Sequence, residues 1–338
     1  MNKKIWLILE DGTAFEGLSF GSDKEVTGEV VFSTNMTGFQ ESLTDPNYSG
    51  QILVQTFPLA GNSGINSQDS LSDYNPAGYI VREFCEIPSN FRSEITINEF
   101  LKKRGIVGLY GIDTRRLTRH LREKGTMNGI ISSKENADLN VVKSFKPVFT
   151  LPNNPPVEFE TENAKYNLAL LDFGYNRKIV QYANEQFCNI TVLPWNTDIS
   201  GFDGVILSNG AGNPNDFPEQ IEMLKNLLKT GIPIIGIGLG HQLLALAYGA
   251  EIIKLKNAHR GSNIPVKNLK HNTVFITSQN HGYAVKQTSI TPEVGEIICE
   301  NVNDNTCESV LYKNNKAVGF QFLTDNIVGW VDVLGNGI

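Results

Sequence analysis

Seven residues, Gly236-Ile237-Gly238-Leu239-Gly240-His241-Gln242, carry the strongest chemical signal in the chain, because they follow the apolar run Pro233-Ile234-Ile235 and open a helix-like stretch. A strand, a sharp turn and a helix in that order form a nucleophile elbow. The turn lifts one side chain above a sheet, and backbone N–H groups beside it make an oxyanion hole. The central position, Gly238, has no side chain to attack with. The layout is that of covalent catalysis with its nucleophile missing. Glycine relieves the strain of such a turn rather than breaking it, since positive φ costs it little. Taken alone, the Gly-x-Gly-x-Gly spacing also admits a dinucleotide-type phosphate loop or a plain tight turn. Against the dinucleotide loop, His241 stands where the third glycine of Gly-x-Gly-x-x-Gly belongs, and no acidic residue closes a following strand about 20 residues on.

Other chemistry is excluded by composition. The four cysteines, Cys85, Cys188, Cys299 and Cys307, are scattered, with no CxxC pair and no histidine at ligand spacing. Neither a zinc site nor a disulfide framework is indicated, no metal is expected, and a reducing compartment fits. The formal net charge of -7 argues against a nucleic-acid footprint. The one basic cluster, Arg115, Arg116, Arg119 and Arg122, reads as the solvated face of a helix. Ile5 to Leu9 is apolar but stops at Glu10-Asp11-Gly12, too short for a signal h-region or a membrane span, so the expected location is the cytosol.

The elements that must position the elbow can be read from periodicity. At 338 residues, 40% hydrophobic and 19% charged, the chain has room for two domains with a core each. Residues 1–150 read as a compact α+β domain, with strands at Ile5 to Leu9, Glu29 to Thr34 and Gln51 to Phe57. A helix follows from the N-cap Asp113 through Glu123, with Leu117 and Leu121 at i, i+4 and Gly125 as its stop. From about 134 the composition turns to Lys, Asn, Pro and Glu, and 151–165 reads as a linker centred on Leu151-Pro152-Asn153-Asn154-Pro155-Pro156. In 166–338 short apolar runs alternate with helices. Leu168 to Leu171, Ile190 to Leu193 and Val205 to Leu207 read as strands, Lys178 to Gln186 as a helix, and Ile221, Leu224 and Leu228 as one face of another. That rhythm predicts an α/β fold, a mostly parallel sheet flanked by helices, with ligands at the carboxyl ends of its strands. Ile252 to Leu255, Thr273 to Thr277, Glu296 to Cys299 and Ser309 to Tyr312, with a turn at Asn314-Asn315, predict an antiparallel extension.

The elbow and its surroundings resemble class I glutamine amidotransferases. Gly236 to Ala245 is similar to that family's Gly-Ile-Cys-Leu-Gly-His-Gln block, with cysteine expected where Gly238 stands. Leu207-Ser208-Asn209-Gly210-Ala211-Gly212-Asn213-Pro214 resembles its Ser-Asn-Gly-Pro-Gly-Asp-Pro loop, and Ser278 to Val285 its Gln-Asn-His-Gly-Phe-Ala-Val strand. The first domain narrows the resemblance to the small-subunit family of carbamoyl-phosphate synthase. Its motifs are Leu9 to Thr13, Met36 to Glu41, Thr44 to Ser49, Ile112 to Arg119 and Leu121 to Gly125. Such a subunit, as the resemblance implies, hydrolyses glutamine through a cysteine thioester, with a histidine base oriented by a glutamate. Ammonia then passes to a large subunit that uses ATP and bicarbonate to make carbamoyl phosphate for arginine and pyrimidine synthesis. The expected partners are therefore the large subunit and glutamine, with no nucleic acid, no membrane and no cofactor held by this chain.

Residue by residue, the resemblance leaves the triad broken. The nucleophile position is Gly238. The family's Phe-Gln-Gly-His-Pro-Glu block falls on Phe320-Gln321-Phe322-Leu323-Thr324-Asp325, so Leu323 takes the place of the base and Asp325 that of its orienting carboxylate. Loss of such residues in a comparable triad lowers the rate by roughly 10⁶, so no glutaminase activity is expected. Ser208, Ser278, Cys299 and Cys307 are the candidate substitute nucleophiles, but Ser208 matches a structural loop and both cysteines lie in the late strand region away from the elbow. His241 and His281 match positions outside the triad. The implied substrate contacts are Gly210, Gly212, Leu239, Gln242, Asn280, Gly282 and Tyr283, with tyrosine in place of phenylalanine and Asn47 in place of serine. Ala211 and Asn213 depart from the loop's proline and aspartate. The chain stops at Ile338, where the family continues through a further segment and a helix, which implies truncation or an altered reading frame. The expectation is a non-hydrolysing small subunit; the alternative is a non-catalytic glutamine-binding or regulatory pseudoenzyme.

Overall fold

A computed structural model describes residues 3–147, 149–313, 316–325 and 329–330. The turn expected at Asn314-Asn315 and the divergent end beyond 330 lie outside the described residues. The chain divides into two units, residues 1–149 and 150–338.

In the first unit seven strands close into a barrel, in the order Lys4–Leu9, Ala14–Gly21, Val107–Tyr110, Gly78–Val81, Ile52–Gln55, Val26–Ser33 and Met127–Ser132, which returns to the first. Alternate residues of each strand face opposite sides, and both sides are covered. Ile52, Val54 and Ile80 join Leu7, Leu9 and Val30 on one side, while Leu53, Tyr79 and Val81 join Phe20 and Val31 on the other. The helix Thr114–Lys124 starts where expected, with the Asp113 carboxylate accepting the Arg116 N–H at 2.9 Å, and ends at Gly125. Its Leu117 and Leu121 seal the first side. Arg115, Arg116, Arg119 and Arg122 are exposed, with the Arg116 guanidinium 5.2 Å from the centre of the Phe15 ring. The helix Ile97–Arg104 opens on a capping box between Thr96 and Glu99 and packs Ile97, Phe100 and Leu101 on the second side.

The second unit is built on a ten-stranded sheet. Cys188–Pro194, Tyr166–Asp172, Gly204–Leu207, Ile234–Ile237 and Ala317–Phe320 lie side by side in that order and run parallel. Leu168, Leu170, Ile206, Ile235 and Val318 form the centre of the core, with Ile179, Val180 and Ala183 of the helix Arg177–Glu185 on it. The antiparallel extension then continues through Cys307–Tyr312, Thr273–Val285, Ile252–Asn268 and Gly295–Asn301. The expected parallel sheet with its antiparallel extension is what forms. Two boundaries differ. Residues 151–165 are not only a linker, because Val157–Phe159 pairs antiparallel with Val192 to Ile190 and becomes the sheet's edge strand. The strands expected at Ile252 to Leu255 and Thr273 to Thr277 run on to Asn268 and Val285. Their polar continuations include His259, Gln279 and His281, which are buried on the sheet, and Ser278 to Val285 lies in the kind of strand that the resemblance implies. Among the described residues no helix is long and apolar enough to cross a membrane.

Candidate functional site at the strand-to-helix turn

Gly238 sits between the strand Ile234–Ile237 and the helix Leu239–Ala247, with φ 56° and ψ -112°. A side chain is strained at such a φ, which explains why glycine sits easily here. Three backbone hydrogen bonds hold the turn. The Gly238 N–H donates to the Phe320 carbonyl at 2.8 Å, the Gln242 N–H to the Gly238 carbonyl at 3.1 Å, and the Gly240 N–H to the Ser208 carbonyl at 3.0 Å. A Cβ at 240 would stand 2.3 Å from the Leu207 carbonyl oxygen, so the helix approaches the neighbouring strand as closely as only glycine allows. A Cβ at 238 would meet the Cβ of Asn209 at 3.1 Å, so the vacant side-chain position faces the Ser208–Gly210 loop.

That loop is internally tied. The Ser208 hydroxyl donates to the Asn209 carbonyl at 2.9 Å and accepts the Phe173 N–H at 2.8 Å, which occupies it in structure. The Asn209 side-chain oxygen accepts the Asn176 N–H at 3.0 Å. Gly210 lacks a side chain for a steric reason, since its Cβ would lie 2.1 Å from the Phe173 carbonyl oxygen. Gly212 has φ 109°, and the Asn213 side chain accepts the Asn215 N–H at 3.2 Å. Gln242 bridges helix and sheet: its amide group donates to the Tyr283 carbonyl at 2.8 Å and to the Gln321 side-chain oxygen at 3.1 Å. Gly210, Leu239, Gln242 and Tyr283 are thus joined through a few hydrogen-bonded or touching elements, and Asn280 and Gly282 lie on the same strand as Tyr283. Asn47 belongs to the first unit, in the short turn Pro46–Tyr48, where its N–H donates to the Asp45 carboxylate at 3.0 Å.

The two positions aligned with the base and its carboxylate have different surroundings. Leu323 packs against the sheet core beside Phe320 and Phe322. Asp325 is exposed, and its backbone carbonyl accepts from the Gln186 amide. Neither offers a base to the turn. The cysteines do not replace the nucleophile. Burial, with Glu308 nearby, pushes the Cys299 thiol up to about 11 and raises Cys307 further, which is the reverse of activation. Ser278 is exposed on the strand Thr273–Val285.

His241 is wholly buried, and neither ring nitrogen has a hydrogen-bond partner among the described residues. Burial pushes its pKa from 6.5 down to about 3, so the ring is neutral. It lies across Gly319, where a Cβ would be 2.0 Å from Nδ1. His281 is also held well below the ordinary imidazole value by burial and then by His259 nearby. Its Nδ1 lies 2.8 Å from the Tyr283 carbonyl and its Nε2 2.9 Å from the Gln279 side-chain oxygen. His259, Asp304 and Glu308, which complete that polar cluster, were not singled out in the sequence. Asp304 and Glu308 are four residues apart, but His259 lies 45 residues before Asp304, so no local spacing joins it to them.

The family description "Carbamoyl-phosphate synthase small chain, CPSase domain" matches residues 7–131, and "Glutamine amidotransferase class-I" matches residues 169–322. The carbamoyl phosphate synthase small chain of Bacillus cereus is 46% identical over 333 residues, 94% of this chain and 90% of that one. The small chain of Listeria innocua is 43% identical over 346 residues, 98% of this chain and 94% of that one. Among solved structures, a glutamine amidotransferase from Thermotoga maritima is 20% identical, with a TM-score of 0.38 over 47% of this chain and 75% of that one.

Proposed function

Because this chain belongs to the carbamoyl-phosphate synthase small-chain family, with a glutamine amidotransferase domain, we propose that it is a small subunit that keeps the elbow and the lining of a glutamine pocket without hydrolysing glutamine. The observation that carries this reading is the turn itself. At φ 56° the backbone is poised to present a nucleophile, and residue 238 is glycine. Thiolate attack needs a thiol and a base to deprotonate it. Leu323, aligned with the base, is hydrocarbon packed on the core. Both chemical requirements fail while the scaffold around them persists. On this reading Asn47, Gly210, Gly212, Leu239, Gln242, Asn280, Gly282 and Tyr283 are the substrate-contact positions. The partner is a large subunit that consumes ATP and bicarbonate in the cytosol, and the nitrogen it uses is free ammonia.

The test is glutamate release by the chain purified with a carbamoyl phosphate synthase large subunit. The expected result is no release above buffer with glutamine, and carbamoyl phosphate formation with ammonium. Gly238→Cys alone should stay silent, since Leu323 stands where the family's base is expected. Release at the rate of an ordinary amidotransferase would overturn the reading. Failure of a large subunit to co-purify would instead assign the chain a non-catalytic glutamine-binding or regulatory role.

A further inference from the structure

One nitrogen of His259, one of His281 and one carboxylate oxygen of Glu308 lie within 4.8 Å of one another, and all three residues are buried. They come from three neighbouring strands: His259 stands opposite His281 in the ladder between Ile252–Asn268 and Thr273–Val285, and Glu308 lies on Cys307–Tyr312. The rings meet edge to face, with centroids 4.9 Å apart. This cluster adjoins the proposed glutamine-contact positions, since the Tyr283 carbonyl that faces His281 also accepts the Gln242 amide, but its own side chains are different residues.

Hydrogen bonds determine which ring nitrogens carry protons. His281 Nδ1 faces the Tyr283 carbonyl at 2.8 Å, and a carbonyl only accepts, so Nδ1 holds a proton. His259 Nε2 faces the Asp304 carboxylate at 2.8 Å and holds one for the same reason. In neutral rings the lone pairs are then on His281 Nε2 and His259 Nδ1. Backbone carbonyl or carboxylate behind one nitrogen, with the other nitrogen left free, is the arrangement that orients metal-binding histidines.

His281 Nε2 faces an oxygen, while His259 Nδ1 faces both the Glu308 carboxylate and the Asn301 amide nitrogen. His281 Nε2 lies 2.9 Å from Gln279 Oε1. Gln279 is held in that orientation because its amide nitrogen donates to Glu308 Oε2 at 2.8 Å and to Thr277 Oγ1 at 2.9 Å. Two acceptors at this distance repel unless something electropositive lies between them. Either a second proton on His281 or a metal ion would serve. On the other side His259 Nδ1 is 3.5 Å from Glu308 Oε1. Two ligands on a tetrahedral zinc ion, each about 2.1 Å from it, are about 3.4 Å apart. Asn301 Nδ2 also approaches His259 Nδ1, at 3.4 Å, and donates to Glu308 Oε1 at 2.9 Å, which steadies the carboxylate. Glu308 is 0% exposed, and the Gln279 and Asn301 amides that donate to its two oxygens hold the buried carboxylate in place beside the histidines.

We propose that His259 Nδ1, His281 Nε2 and Glu308, with Gln279 Oε1 as a neighbouring oxygen ligand, form a site for one divalent transition-metal ion of the kind that imidazole and carboxylate hold. Asp304 and the Tyr283 carbonyl act behind the histidines. Two carboxylates, Asp304 and Glu308, balance the charge of the ion, and Arg260 is the cationic side chain closest in the sequence to the ligands. Filling the site draws the ligand atoms, which lie within 4.8 Å of one another, toward the roughly 3.4 Å spacing around a tetrahedral ion.

The test uses the full chain stripped with chelator and titrated with Co²⁺, whose visible bands report tetrahedral coordination, and with Zn²⁺ by calorimetry. One equivalent of each ion is expected. His259→Gln and Glu308→Gln should abolish uptake, and Asp304→Asn should weaken it roughly 10- to 100-fold, as loss of a supporting partner does. Glu296→Gln, on an exposed side chain, should leave it unchanged. Circular dichroism melting separates loss of ligands from loss of fold, and Asp304→Asn, at the rim, supplies the arm in which folding is least at risk. Absence of uptake by the folded chain, uptake equal in the Asp304→Asn and His259→Gln variants, or nitrogen shifts showing His281 doubly protonated in the metal-free chain would each overturn the site.

Discussion

At the scale of single residues, the turn pairs a positive-φ backbone with a residue that has no side chain. Gly238 retains the dihedral angles that a nucleophile would have to bear under strain, at φ 56° and ψ -112°. The contact of a hypothetical Cβ with Asn209, at 3.1 Å, is tight without being prohibitive, so a small side chain fits at modest cost. His241, three positions on, has a measurable consequence. Its folded pKa is about 3 against an ordinary value of 6.5. The unfolded chain therefore binds more protons between those values. The contribution of His241 is complete above about pH 6.5 and is lost as the pH falls toward the folded pKa, by about 1.4 kcal/mol per pH unit. His281, held low as well, acts in the same direction, while His259 is different. Burial alone would lower its pKa, but the Glu308 and Asp304 carboxylates raise it. Stability from His259 is present below its unfolded pKa and is lost as the pH rises through the folded one. Urea midpoints at pH 7.5 and 5.5 isolate the first effect: the loss on acidification should be smaller in His241→Asn than in the parent chain. Equal losses would remove His241 as a cause.

At the scale of elements, local side chains determine where helices begin, and sheet context determines where strands end. Asp113 and Gly125 bracket the helix Thr114–Lys124 because a cap is a contact between near neighbours, which sequence can show. Thr96 and Glu99 make the same kind of local contact at Ile97–Arg104, with Thr96 N–H to Glu99 at 2.8 Å and Glu99 N–H to the Thr96 hydroxyl at 3.2 Å. Thr96→Ala should cost about 1 kcal/mol in a denaturant melt, whereas Thr96→Ser should restore most of it. The strands that periodicity missed in the first unit, among them Ala14–Gly21 and Val107–Tyr110, contain glycines that weaken a strand signal. Gly108 is nevertheless required, because a Cβ there would come 2.6 Å from the Phe20 carbonyl oxygen. The polar stretch Gln279-Asn280-His281, which only the resemblance marks as strand, pairs with Gly261, Arg260 and His259 opposite. No local property announces that a histidine will be matched by a buried carboxylate.

At the scale of the whole molecule, the two units have separate cores, one around the barrel and one on the ten-stranded sheet. Gly319→Ala tests this division. Its new Cβ would lie 2.0 Å from His241 Nδ1, in the second core, and such overpacking costs roughly 1–3 kcal/mol or more. Hydrogen-exchange mass spectrometry should show lost protection in peptides from the parallel sheet around 166–237 and 317–320, with barrel peptides from 4–55 unchanged. Loss spread equally over both would contradict separate cores. The sequence by itself determined the family, the parallel sheet with its antiparallel extension, the helix that starts at Asp113, and the glycine at the elbow. Each is written in contiguous motifs or in hydrophobic periodicity, which report on neighbours along the chain. Tertiary structure alone decided the closure of the barrel, the use of Val157–Phe159 as an edge strand, the packing of Leu323 into the core, and the meeting of His259, His281 and Glu308. These depend on which strand lies beside which. Pairing brings residues distant in the chain into contact, and it is set by the combined burial of many side chains rather than by any local pattern.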